Sequence, residues 1–314
     1  IFTSLGWLTA QHPPGKFDNQ KMFYQVNHHA FMAHAKAVLA YRQMGGKGQI
    51  GASFAYTPSY ALDCRPINAM AKANYDDLKN YWWMDVYAYG RYPVAAMTYL
   101  KKKRIAPDMA DGDEEILRQA ASQITFMGVN YYQSCVCEYN PMDGATPYGT
   151  MNTTGIKGSA QELGMPGIYK NPANPYLMTT DWDWSIDPSG LQFCCREITS
   201  RYALPIVISE NGLGAFDKKT EDGQIHDEYR ICYLKEHIKA LGEAVEEGCQ
   251  VLAYCTWSFT DLLSWLNGYQ KRYGFIYVDR EEEEGGTLER FKKDSFYWYK
   301  KVIETNGKEI FEEE

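Results

Sequence analysis

The segment Pro205–Gly212 reads Pro-Ile-Val-Ile-Ser-Glu-Asn-Gly, an apolar run that stops on a carboxylate, Glu210, followed by an amide and a glycine. Such a run reads as a buried strand, and in parallel α/β folds the carboxyl end of a strand is where active sites assemble. A carboxylate held there can attack an electrophilic carbon or move a proton. A solvated glutamate in a strand-to-loop turn fits the same spacing, and a lone carboxylate does not decide between the two.

Other reactive residue types mainly exclude functions. His28, His29 and His34 fall in one helical stretch without an HExxH arrangement, so packing or surface histidines explain them better than a zinc site. The eight cysteines include no CxxC pair and no spacing of a disulfide framework; they read as reduced thiols of a cytoplasmic protein. No P-loop pattern occurs, and the glycines between 155 and 167 read as a long loop over the site, which disfavours a nucleotide-dependent enzyme. The acidic run Glu281–Glu284 ahead of Gly285 and Gly286 reads as a solvated loop.

Forty acidic against 32 basic residues give a net charge of −8, so a general attraction to nucleic acid or an anionic membrane is not expected and any anionic ligand must be held by a local basic pocket. No run approaches the roughly 18 apolar residues of a membrane span. With 45% hydrophobic and 15% aromatic residues, the 314-residue chain can bury a large core. Without linkers or internal repeats, residues 1–314 read as a single domain.

The elements that must position Glu210 follow from periodicity. Helices are expected over Asn19–Met44, Ala69–Met84, Glu114–Ser122 and Ser189–Tyr202. The plainest covers 229–247, where Ile231, Leu234, Ile238, Leu241 and Val245 recur at steps of three and four before Gly248. Between them lie strand-like Gln49–Ala55, Ile124–Tyr132, Pro205–Ser209 and Val251–Thr256. Strands alternating with helices imply a parallel sheet with right-handed crossovers, either doubly wound or a (β/α) barrel.

Taken with FMGVNYYQS (126–134), DWDWSIDPSGL (181–191) and TWSFTDLLSWLNGYQKRYGFIYVDR (256–280), the Glu210 segment resembles glycoside hydrolase family 1 in four ordered motifs. The resemblance spans essentially the whole chain. It implies an α/β fold, a (β/α)8 TIM barrel, here truncated to its C-terminal portion with strands five to eight, the earlier strands lying upstream of Ile1. It also implies Glu210 as the nucleophile of a retaining glycosidase, with no metal or organic cofactor. Asn130 and Tyr132 match a pair on strand six, Tyr132 expected to hydrogen-bond the nucleophile. Trp184 matches a tryptophan on the leaving-group side, Trp257 and Trp265 are expected near the sugar, and Trp82, Trp83 and Trp298 in packing. The family's acid/base glutamate lies in a T-x-N-E-[PI] motif, and this sequence has no Asn-Glu dipeptide.

Ordinary β-glucosidases of the family carry a glutamate where this chain has Ser264. A carboxylate there would repel a 6-phosphate, whereas a hydroxyl removes the repulsion and can donate. Ser264, Lys271 and Tyr273 match the phosphate-binding set of the family's phospho-glycosidases. The expected substrate is therefore a small-molecule 6-phospho-β-glucoside, cleaved through a covalent glycosyl-glutamate. A 6-phospho-β-galactoside is the alternative, and an incomplete fragment that only binds sugar phosphate is the reading of another class. A homo-oligomer is left open, because a partial barrel exposes two sheet edges.

Overall fold

A computed structural model describes residues 2–141, 149–161, 164–283 and 285–311. Helix α1 (Phe2–Trp7) leads into α2 (Gln20–Gln43). The Asn19 side chain accepts the Met22 amide at 3.3 Å to start α2, and Gly45 takes a left-handed φ of +82° to end it. Then come β1 (Gly51–Tyr56), β2 (Ser59–Ala61), α3 (Pro66–Leu78), α4 (Asn80–Tyr89), α5 (Val94–Lys103) and α6 (Asp113–Ala121). The one helix expected over Ala69–Met84 is two, α3 and α4, divided at Lys79. The Asn80 amide nitrogen donates to the Thr57 carbonyl and the Asp76 carboxylate, both at 2.9 Å, and ties the start of α4 to the loop after β1. Gly46, Gly48 and Gly51 have the spacing of a dinucleotide-binding loop, but they lead from α2 into β1, whose first residue is Gly51, instead of following a strand and opening a helix.

The chain continues through β3 (Phe126–Tyr131), β4 (Cys135–Cys137), the short antiparallel pair β5 (Gly164–Met165) and β6 (Tyr169–Lys170), α7 (Pro188–Tyr202), β7 (Ile206–Asn211), α8 (Glu228–Glu246) and β8 (Val251–Thr256). It closes with β9 (Ile276–Val278), β10 (Arg290–Lys292), α9 (Asp294–Glu304) and α10 (Lys308–Phe311).

Strands β1, β3, β7 and β8 pair in that order, all parallel, with helical crossovers between them. Met127, Val129, Tyr131, Ile206 and Ile208 are fully buried in one cluster with Leu191, Cys194, Cys195 and Ile198 of α7. Side chains alternate along a strand, so the opposite face takes the residues between. There the Ser53 and Ser209 hydroxyls lie 2.6 Å apart and 2.9 and 2.7 Å from the Asn130 carboxamide oxygen, so their two protons are shared among three hydrogen-bonding contacts. The strand expected over Gln49–Ala55 is β1, buried on one face only, since its Ser53 and Ala55 are exposed. Of His28, His29 and His34, His28 is buried in packing between the Tyr92 phenol at 2.7 Å and Asp113 at 2.9 Å.

Candidate active site

A slip of one residue aims Glu210. Val129 pairs with Ile208, but Asn130 pairs with Glu210, so Ser209 is an extra residue in β7. Strict alternation from Ile208, which faces the helices, would send Glu210 the same way. A bulge re-aims the residues beyond it, and Glu210 turns instead toward Asn130 and Tyr132. Asn211 turns into the core. Its amide nitrogen donates to the Tyr131 carbonyl at 2.9 Å and the Tyr233 phenol at 3.2 Å, and its oxygen accepts the Tyr254 hydroxyl at 2.6 Å. One side chain thus ties β3, α8 and β8 around the end of β7. The glycine that follows is required by close approach, because a Cβ on Gly212 would stand 1.8 Å from the Trp257 carbonyl oxygen.

Tyr132 donates its hydroxyl to Glu210 Oε2 at 2.6 Å. Burial pushes the Glu210 carboxyl above its ordinary range, and the hydrogen bonds from Tyr132 and Asn130 pull it back. No second carboxyl is among the groups that shift it, taking the described residues.

The Tyr132 ring meets Trp184 edge-on at 5.5 Å between centres, and the Lys271 ammonium stands 3.6 Å from the Trp184 ring centre and 4.8 Å from that of Trp182. Lys271 is 1% exposed, and among the described residues its Nζ has no hydrogen-bond partner. Burial lowers its pKa to about 7. The phenol of Tyr273, whose ring centre is 5.5 Å from Lys271 Nζ, is hydrogen-bonded with the Ser264 hydroxyl and feels the Glu210 charge. Gly214 leaves the room Lys271 occupies, as a Cβ there would lie 2.4 Å from its Cε.

Eight of the nine residues singled out in the sequence therefore gather near one another at the carboxyl ends of β3, β7 and β8. Trp257, half-buried, stands at the head of a narrow cleft shared with Gly212 and Tyr273. Trp184, expected toward the leaving group, covers the lysine. Trp265 is 73% exposed, with its ring centre 5.2 Å from that of His12. Trp182 and Asn211 were missed, although both belong to the quoted motifs. A cavity of about 220 Å³ opens beside Ala55, Thr57, Lys79 and Trp83 and contains none of the residues bonded to Glu210.

Beneath this group lies a buried ionic cluster that the sequence did not announce. Arg230 donates to Asp217 at 2.7 Å and to Asp227 at 2.9 Å. Lys293 pairs with Asp217 and, at 2.7 Å, with Asp261, which also accepts from Arg272 at 3.2 Å. Of the acidic run once read as solvated loop, Glu281 pairs with Arg272 at 3.3 Å and Glu282 accepts the Tyr269 amide, while Glu284 lies outside the described residues. Among the described residues no three His, Cys, Asp or Glu side chains gather as a metal site, and no helix is long and apolar enough to cross a membrane.

The sequence model described as glycosyl hydrolase family 1 matches residues 1–308. Aryl-phospho-beta-D-glucosidase BglC of Bacillus subtilis is 51% identical over 97% of this chain and 63% of its own length. A 6-phospho-beta-galactosidase of Leptotrichia buccalis is 37% identical over 95% of this chain and 63% of its own length. The family 1 β-glucosidase of Thermotoga maritima superposes with a TM-score of 0.81 at 26% identity, covering 97% of this chain and 61% of that one. The chain spans about three fifths of the length of these proteins, and its four parallel strands are part of a (β/α)8 barrel.

Proposed function

The chain belongs to glycosyl hydrolase family 1, and from that premise we propose that it carries the nucleophile and the phosphate-binding end of a retaining hydrolase of 6-phospho-β-glucosides. The observation that carries this reading is Lys271, a buried cation with no acceptor among the described residues and with aromatic rings against it. A buried charge costs free energy unless it is paired, and a sugar 6-phosphate would supply the missing partner. Ser264 and Tyr273 add hydroxyl donors. Glu210 would attack the anomeric carbon as the glycosidic bond breaks, forming a glycosyl ester, while a second carboxyl about 5–5.5 Å away protonates the leaving oxygen and then activates water to cleave the ester. Tyr132 and Asn130 would hold the nucleophile oriented and ionised. The relative named for aryl-phospho-glucosides supports the gluco configuration and an aromatic leaving group. Free thiols at all eight cysteines support the cytoplasm as its compartment, and the net charge of −8 is against a nucleic-acid partner.

A galacto substrate is the second reading, favoured by the relative named 6-phospho-beta-galactosidase. A further observation favours binding without turnover by the 314 residues alone, since their sequence has no Asn-Glu dipeptide to supply the family's acid/base glutamate. Calorimetry with glucose 6-phosphate, galactose 6-phosphate and glucose tests the substrate class. Binding of glucose 6-phosphate that is lost in Lys271→Met is expected; equal binding of glucose would sink the phosphate reading, and preference for the galacto compound would reverse the sugar. Hydrolysis of nitrophenyl 6-phospho-β-glucoside at ordinary glycosidase rates would refute binding without turnover.

A further inference from the structure

Lys271, Arg272 and Tyr273 are consecutive, and in extended chain their side chains point alternately to opposite sides. Arg272 forms an antiparallel bridge with Ala215, its amide donating to the Ala215 carbonyl at 2.9 Å and its carbonyl accepting the Ala215 amide at 2.9 Å. Lys271 and Tyr273 therefore turn toward Trp184 and Glu210 while Arg272 turns away. Its guanidinium is buried. It donates to the Val278 carbonyl at 2.7 Å, the Arg280 carbonyl at 2.9 Å and Asp261 at 3.2 Å, and lies 4.1 Å over the Tyr277 ring. Asp261 is held in turn by Lys293 at 2.7 Å and accepts the Gly274 amide at 2.9 Å. Three buried cations, Arg230, Arg272 and Lys293, each face a carboxylate, whereas their neighbour Lys271 faces none among the described residues.

We propose that Arg272 is a positioning residue: anchored by Asp261 and two carbonyls on one side of the chain, it presents Lys271 and Tyr273 on the other and so sets the recognition of the anionic end of the substrate. A guanidinium is suited to this because its planar, rigid fork fixes the direction of several hydrogen bonds, whereas an ammonium is a point charge on a flexible stem. Without that grip the segment could rotate, and Lys271 could carry its charge out to water or to Glu210. The inference rests on the phosphate reading for its consequence, but the placement of Lys271 is independent of any ligand.

The test uses the 314-residue chain and two readouts. Tryptophan fluorescence followed from pH 5 to 10 should report the Lys271 proton against Trp184 and Trp182, the contribution being identified by its loss in Lys271→Met. In Arg272→Lys, which keeps the charge but not the fork, this transition should move toward the ordinary lysine range, and glucose 6-phosphate binding should weaken about tenfold, as expected for loss of one well-placed charged hydrogen bond. If Arg272→Lys titrates as the wild type and binds glucose 6-phosphate equally well, the positioning role is wrong. Should the wild type bind glucose as well as glucose 6-phosphate while Arg272→Lys still displaces the transition, the positioning role stands and the phosphate reading falls. If Arg272→Lys does not fold by circular dichroism, Asp261→Asn, which keeps the shape and one acceptor, carries the same comparison.

Discussion

Glu210 and Lys271 are held in opposite ways. The carboxylate is half-buried beside donors that favour its charge, and the ammonium is buried beside rings that only partly replace water. For Tyr132→Phe, the first donor is lost and burial is left less opposed, so the Glu210 carboxyl should titrate higher still. Carbon NMR of that carboxyl, assigned by Glu210→Gln, should record the rise, and an unchanged titration would refute the assigned hydrogen bond. At Lys271 the folded pKa lies near 7, below the ordinary 10.5. Between these values the unfolded chain holds a proton that the folded chain lacks, so this residue makes stability rise with pH from about 7 to 10.5; below 7 its burial cost is felt in full. Phosphate needs the charged form, so glucose 6-phosphate should bind more weakly at pH 9 than at pH 7, by about tenfold or more if the lysine alone is responsible. Calorimetry at both values, with Lys271→Met as the flat control, checks the sign. Glu210 was legible because it ends an apolar run inside a known motif. The isolation of Lys271 was not, because it depends on which carboxylates fail to arrive from elsewhere in the chain.

At the scale of elements, legibility followed the source of each signal. Both ends of α2 were written locally, in Asn19 and Gly45. The division between α3 and α4 was not, since Asn80 turns the chain by bonding Thr57, far back in sequence. Helix α5 was unread because only Ala96 and Leu100 of its ten residues are buried, too few for a periodic stripe, and its last turn is Lys101, Lys102 and Lys103. The ionic cluster was equally silent, its members being scattered from 217 to 293. By contrast the glycine of the Glu-Asn-Gly motif has a purely local test. Gly212→Ala would drive a methyl into the Trp257 carbonyl, separating the ends of β7 and β8 and costing about 3 kcal/mol by the scale of overpacked cores. Urea unfolding should show the loss; a midpoint equal to the wild type would mean the strand ends are not in close contact.

At the scale of the molecule, β1 and β8 each pair, among the described residues, with a single strand of the parallel sheet. Along β8 the residues Leu252, Ala253 and Cys255 are exposed, an apolar edge of the kind that invites pairing with another chain. Concentration-dependent association is expected in sedimentation velocity, and Leu252→Lys should reduce it; a sharp monomer at all concentrations would show that the edges are protected in solution. The same arrangement grades the backbone by its access to solvent. When the protein is moved into heavy water, the amide hydrogens of β3 and β7, bonded on both flanks, should be the last to be replaced, and those of β1 and β8 among the first. The sheet would then serve as its own gauge: whatever comes to lie along one outer strand, a second copy or another polypeptide, would slow the clock on that side alone and name the edge it had joined.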